Sequence, residues 1–251
     1  MSKAMTCRSL LAASLLASGA AQAALFDRGG GLIYDDVLNI TWLQDANYAS
    51  TSGYAAANAV DNGILAKDNI LADGRMGWMA AMTWAENLVY GGYDDWRLPV
   101  VVDSGSAGCD WASSGTDCGY NVQTTSGGIV HSELASLWYE TLGNTPYCDA
   151  AGNCNQPGWG LSKTGLFANL QSNVYWFGTE YAPTADSVAW NFGTNDGLQY
   201  INWQRFVFYT WAVRPGDVTA ALAAPEPSSL ALAGLALAGV GWMRWRGRFG
   251  A

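Results

Sequence analysis

Ser187-Val188-Ala189-Trp190-Asn191-Phe192-Gly193-Thr194-Asn195-Asp196-Gly197-Leu198-Gln199-Tyr200-Ile201 sets two strand-forming runs on either side of an Asp-Gly dipeptide. Aromatic and β-branched side chains mark 187–192 and 198–201 as strands, and Asp196-Gly197 supplies the positive φ of a tight hairpin turn. Runs at 174–177 and 209–213 have the same character and are expected to add strands on either side.

The chain before this hairpin reads differently. Leu32-Ile33-Tyr34 and Ile40-Thr41-Trp42-Leu43 flank an Asp- and Asn-containing turn and predict a second hairpin. Residues 45–60 are rich in Ala, Tyr and Asn with Gly53 in the middle, which predicts one helix or two short helical pieces. In 78–90, Trp78, Met79, Met82, Ala85, Leu88 and Val89 recur at three- and four-residue steps, and Gly91-Gly92 follows as a helix-closing pair. Ser132 is placed to cap a third helix over 133–142, whose Leu134, Leu137, Trp138 and Thr141 share a face before Gly143. Helices early and paired strands late predict one α+β domain of short helices and antiparallel sheet, with no internal repeat.

Both ends are addressing segments in composition. Lys3 and Arg8 precede an apolar run at 10–17, and Ala21-Gln22-Ala23 gives the small-x-small pattern of signal-peptidase cleavage after Ala23. At the other end Pro225-Glu226-Pro227 blocks backward helix extension, since each proline lacks a donor and disfavours α geometry before it. The uncharged run 228–243 follows, and then Arg244, Arg246 and Arg248, which resembles a membrane helix with a cytoplasmic stop. Roughly sixteen residues at about 1.5 Å each span about 24 Å against a hydrocarbon core of about 30 Å, a marginal anchor. The expected organisation is signal peptide 1–23, secreted domain 24–217, linker 218–227, transmembrane helix 228–243 and basic tail 244–251.

Setting those ends aside changes the charge that matters. Of 12 basic residues, Lys3, Arg8, Arg244, Arg246 and Arg248 lie in the ends, leaving 7; of 21 acids only Glu226 does, leaving 20, so the body carries −13. A domain so acidic repels nucleic acid and sulfated polyanions. Its four cysteines, Cys109, Cys118, Cys148 and Cys154, fall in an exported segment that permits disulfides. Three pairings exist in principle, and the local one, Cys109 with Cys118 and Cys148 with Cys154, brackets two Gly- or Asn-rich loops. Zinc ligation by these thiols is disfavoured, because no Cys-x-x-Cys spacing occurs and no histidine stands near either pair.

Pro-Glu-Pro, a short apolar run and terminal arginines in that order resemble the PEP-CTERM sorting signal of Gram-negative bacteria. The resemblance implies signal peptidase and an exosortase, a membrane cysteine protease-like transpeptidase, as export partners. It also implies transient holding in the inner membrane and delivery to the cell surface or exopolysaccharide matrix. The body resembles a bacterial domain shared with the carboxy-terminal part of a collagen-like adhesin. The blocks that carry this likeness are Gly77-Trp78-Met79, Met82-Thr83-Trp84-Ala85, 91–99 with Trp96-Arg97-Leu98-Pro99, Ser132-Glu133-Leu134, 174–180 and Trp211-Ala212-Val213-Arg214-Pro215. Through its Trp-Arg-Leu-Pro block, Glu-Leu helix and closing Val-Arg strand the body also resembles the C-type-lectin-like folds of the formylglycine-generating-enzyme group.

The chemistry in the body is sparse. A serine or cysteine hydrolase needs a base beside its nucleophile, and His131 is the single histidine. Cysteines even in number and locally paired offer no copper-binding thiol pair, so likeness to the formylglycine-generating fold does not carry that activity over. Acids are plentiful, but nothing places two of them across a cleft as glycoside hydrolysis requires. Arg97 reads as structural, pairing with Asp94, Asp95 or a distant acid while its stem packs on tryptophan. Asp149-Ala150-Ala151-Gly152-Asn153 and Asn195-Asp196 supply oxygens for calcium, yet neither matches an EF-hand loop, and turn chemistry is the default for both. Eleven of the 13 tryptophans belong to the body and most must fill its core. Trp176, Trp190 and Trp203, with Glu180, Asn195 and Asp196, are the candidates for a sugar-stacking surface. These features predict a non-enzymatic exported protein of adhesion or glycan and surface-protein binding, without a resident metal. The rival readings are an enzyme of the lectin-like fold group and a purely structural matrix component.

Overall fold

The computed structural model describes residues 24–103 and 117–218. The signal-peptide residues Ala21 and Ala23, Cys109, the sorting residues Pro225, Glu226, Pro227, Arg244, Arg246 and Arg248, and the 228–243 segment lie outside them. Among the described residues no helix is long and apolar enough to cross a membrane.

The described residues are α+β, with three antiparallel sheets and short helices among them. Strand β1 (Leu25–Asp27) pairs with β2 (Leu32–Asp35), which forms the anticipated hairpin with β3 (Ile40–Leu43). Asn39, at φ 51°, closes that turn in the left-handed region that Asn tolerates. The run at 45–60 forms two single-turn helices, α1 (Tyr48–Thr51) and α2 (Tyr54–Ala57), parted by Gly53 at φ 80°. Helix α3 (Trp78–Glu86) is shorter than its periodicity suggests. Asn87, whose side chain donates to the Thr83 carbonyl at 2.8 Å, is its C-cap. Gly91-Gly92 is therefore no helix cap: Tyr90 and Tyr93 exchange two backbone bonds of 3.0 Å around two positive-φ glycines. The buried face is also rotated. Trp78, Ala80, Ala81, Trp84 and Ala85 face the core, while Met79 and Val89 are 52% and 72% exposed. The two large indoles decide the facing of this helix, not the methionines.

A small hairpin, β4 (Thr125–Ser126) with β5 (Ile129–Val130), precedes α4 (Glu133–Ala135), which continues into a π-helical turn at Ser136–Thr141. Ser132 caps α4 as expected, its hydroxyl accepting from the Ala135 amide at 3.2 Å. The C-terminal sheet has the order β6 (Val174–Glu180), β7 (Val188–Gly193), β8 (Gln199–Trp203). Of the expected strand at 209–213, only β9 (Val213–Pro215) joins a ladder, against β3. Tyr209 makes just an isolated bridge to Tyr175, and Trp211 drops into the core beside Trp42 at 4.6 Å and Phe167 at 4.7 Å.

Four of the buried indoles pin distant segments, because an N–H left without an acceptor in the core is costly. Trp78 donates to the Phe177 carbonyl and Trp176 to that of Met76, each at 2.8 Å. Trp138 donates to Thr194 at 3.0 Å and Trp211 to Leu43 at 2.7 Å. These bonds tie helix to sheet and sheet to sheet across the centre of the fold.

The Trp96-Arg97-Leu98-Pro99 block is structural. Trp96 and Leu98 are buried, and Arg97 forms a forked pair with the buried carboxylate of Glu133 at 2.7 and 2.8 Å. Glu133 also accepts from the Val100 amide at 2.7 Å. Of the expected partners the distant acid is correct; Asp95 instead pairs with Arg214 at 2.8 Å. Cys148 and Cys154 form the anticipated local disulfide, and Cys118 is disulfide-bonded.

Candidate functional site

The sequence-selected ligand residues divide into three groups. Trp176 and Trp190 are fully buried in strands β6 and β7, so the expectation that they stack on sugar is corrected: both rings belong to the core. Trp176 packs on Phe208 at 4.5 Å, and Trp190 packs on Tyr181 at 5.6 Å while its N–H donates to Asp103. Glu180 and Trp203 lie at the end of the sheet away from the β7–β8 turn, where Glu180 registers with Ala189 and Val188 with Trp203. Trp203 is 46% exposed there, with the Arg205 guanidinium 4.8 Å from its ring centre. Asn195 and Asp196 stand at the opposite end, in the turn itself.

The turn holds its shape by its own bonds. Gly193 donates to the Leu198 carbonyl and Gly197 to that of Gly193, both at 2.8 Å. Gly197 sits at φ 80°, and a Cβ there would meet the Trp138 ring at 2.7 Å. Asp196 accepts from the Leu198 amide at 3.0 Å. Its backbone carbonyl takes the Tyr147 amide at 2.8 Å, which seats the disulfide-closed loop against the turn. In that loop Asp149 accepts from the Ala151 and Asn153 amides and the Asn153 side chain, so its oxygens close the turn.

On the sheet face beside the turn lies a cleft of about 100 Å³, walled by Val174, Asn191, Gly193, Asn195, Asp196, Leu198, Tyr200 and Asn202. The pleat explains the grouping. Asn191 registers with Tyr200 and with Trp176, Ala189 with Asn202 and Val174 with Gly193, so alternate residues of three strands share this face. Gly193 carries no side chain, and the vacated volume is filled by oxygen. A Cβ placed on it would lie 2.5 Å from Asp196 Oδ1 and 2.9 Å from Asn195 Oδ1.

Two polar atoms of the cleft are buried without a hydrogen-bond partner, Asn191 Nδ2 and Asn195 Oδ1. Asn191 is 2% exposed, on the central strand of its sheet. Burial pushes the Asp196 carboxyl above its usual range, against the Leu198 amide and the Asn195 side chain, which pull it down. The Tyr120 hydroxyl is pushed up to about 12, by burial first and then by the Asp196 charge. The cleft thus sits where amide side chains of the sheet meet the Asn195-Asp196 turn, with Asn191 Nδ2 and Asn195 Oδ1 hidden from solvent. Asn191, Tyr200 and Asn202 were not anticipated; the one signal was an amide in the middle of an otherwise core-like strand.

A larger groove of about 370 Å³ lies between α1, α2 and the end of α3, lined by Tyr48, Tyr54, Trp84, Leu88 and Val89. Its walls are mainly aromatic and aliphatic, and Asn87 is spent on capping α3.

No curated protein and no solved structure matches this chain significantly. Residues 223–246 match the PEP-CTERM protein-sorting motif. The chain therefore carries, at its C-terminal end, the signal of an exported protein that an exosortase processes and sorts to the cell surface.

Proposed function

We propose that this surface-sorted protein is a non-enzymatic binding module of the cell surface or exopolysaccharide matrix, whose body engages glycan or another surface protein. The observation that carries the reading is the sorting motif at 223–246, joined to a folded body with a small cleft beside the β7–β8 turn of its three-stranded sheet. The chemistry of the body agrees with it. Cys118, Cys148 and Cys154 are all disulfide-bonded, Glu133 is spent on Arg97, and Asp149 closes its own loop. Kinship with the collagen-like-adhesin domain and the C-type-lectin-like fold belongs to the same proposal. Its support is that two of the resembling blocks, 96–99 and 132–134, meet through the Arg97–Glu133 pair, and a third supplies β9.

In this reading the tail is a temporary address, held in the inner membrane and then removed. Intact mass of the protein recovered from the cell surface tests that part, and full retention of 230–249 would overturn it. A glycan array and a pull-down of surface proteins with the same material test the binding reading. Failure to retain any glycan or surface protein would overturn it in favour of a purely structural matrix component.

A further inference from the structure

The Ala24 backbone N–H donates to Asp36 Oδ1 at 2.9 Å, and the Asp36 amide donates to the Ala24 carbonyl at 3.4 Å. These bonds carry the β1–β2 pairing one step beyond Leu25 and Asp35. Ala24 is also the residue that the Ala21-Gln22-Ala23 pattern places first in the exported chain. In the precursor its nitrogen is a neutral amide with one proton to give. Among the described residues no basic side chain forms an ion pair with Asp36. The other charged and titratable groups at this end of the sheet have partners of their own. Arg28 holds Asp217 through two bonds of 3.0 and 2.6 Å, Asp35 turns Oδ1 to the Val37 and Leu38 amides, and the Tyr34 hydroxyl donates to Asn39.

We propose that removal of the signal peptide completes this contact, with Asp36 receiving the new N-terminal ammonium. Signal peptidase adds water across the Ala23–Ala24 peptide bond. Ala23 leaves with the carboxylate, and the Ala24 nitrogen becomes an amine that takes up a proton below its ordinary pKa of about 8. On the same atom, a neutral donor is thus replaced by an ammonium facing a carboxylate, which makes the bond charge-assisted. Strand β1 is an edge strand of three residues, with little to hold it in the sheet. Arg28, just past its far end, is already fastened to Asp217, so cleavage gives the strand an ion pair on either side. An amine that gains a carboxylate partner has its pKa raised. The contact is therefore present at neutral pH and is lost as pH rises through the raised value.

The test expresses the full chain with its signal peptide in a Gram-negative host, recovers the exported protein and sequences its N-terminus. The α-amine is then titrated by competitive acetylation with limiting acetic anhydride from about pH 6 to about pH 10, read by mass spectrometry of the N-terminal peptide. The expected result is a chain that begins at Ala24, with an α-amine pKa about 0.5 unit or more above that of Asp36→Asn, or roughly threefold slower acetylation at neutral pH. Asp36→Glu, which keeps the carboxylate, is expected to recover part of the shift. The same amine in urea-unfolded wild-type protein is a second reference, so the comparison stands even where Asp36→Asn fails to fold. An exported chain that begins at any other residue overturns the proposal at its first step. A chain that begins at Ala24, with an α-amine pKa no higher than in the urea-unfolded protein or in folded Asp36→Asn, overturns the ion pair.

Discussion

A carboxylate at position 35 lies fully buried where β2 turns toward β3. Asp35 Oδ1 takes the Val37 and Leu38 amides at 3.1 Å, while Oδ2 has no hydrogen-bond partner. Burial pushes its pKa up to about 6, against those amides, which pull it down. The folded state therefore holds a proton that the unfolded state releases near 4, so stability falls as pH rises from about 4 to about 6. A pKa raised by about 2 is worth ~3 kcal/mol over that window. Asp35→Asn keeps the oxygen that closes the turn and is expected to flatten this part of the stability–pH curve in urea titrations. Asn191 presents the complementary case, a neutral group buried unpaired. Asn191→Val removes that penalty and fits β propensity, so the variant is expected to gain about 1 kcal/mol and a higher Tm in calorimetry. Asp35 showed in the sequence only as a turn former, because burial is a property of what packs around a residue.

Elements were legible where their signals are local. The Asp196-Gly197 turn, the 32–43 hairpin and the Ser132 cap all follow from short-range chemistry, and each stands where the residues put it. Gly197→Ala combines a positive φ with contact on the Trp138 ring at 2.7 Å, so it is expected to cost at least about 2 kcal/mol by chemical denaturation. The end of α3 was not legible. Apolar periodicity runs on to Val89, but Asn87 caps the helix and the two glycines beyond it form a separate tight turn. Nor did the strand-like run at 209–213 reveal that Trp211 would leave the ladder for the core. The 125–130 hairpin was missed although Gly127-Gly128 is a strong turn dipeptide; its strands have two residues each, too few for alternation to show. Between elements, the Arg97–Glu133 pair clamps the 96–100 strap to α4. Glu133→Gln is expected to cost about 2–3 kcal/mol, below the ~3–5 kcal/mol of a fully buried pair because Arg97 keeps some access to water.

At the scale of the whole molecule, the address and the body are separate problems. Deleting 223–246 removes the sorting motif and leaves the packed residues through Val218 intact, so the truncated chain is expected to fold yet fail to reach the surface. Cell fractionation with surface proteolysis checks this, and surface exposure of the truncated chain would contradict it. The address was readable in the sequence because it is a linear signal: two prolines, an apolar run and arginines act in order along the chain, whatever the body does. The α+β class was readable for a related reason, since hydrophobic periodicity and turn residues are local. The site was not. Trp176 and Trp190 share their composition with a sugar-stacking surface and their burial with a core, and only the tertiary structure separates the two. Asn191, Asn195 and Asp196 become one cleft because strand register and a glycine without a side chain bring them together. Sequence alone determined where this protein is sent and the class of fold that travels, since both are written locally. Which polar groups face a common cleft, and which rings are hidden, depended on packing between distant segments, and only the tertiary structure decided that.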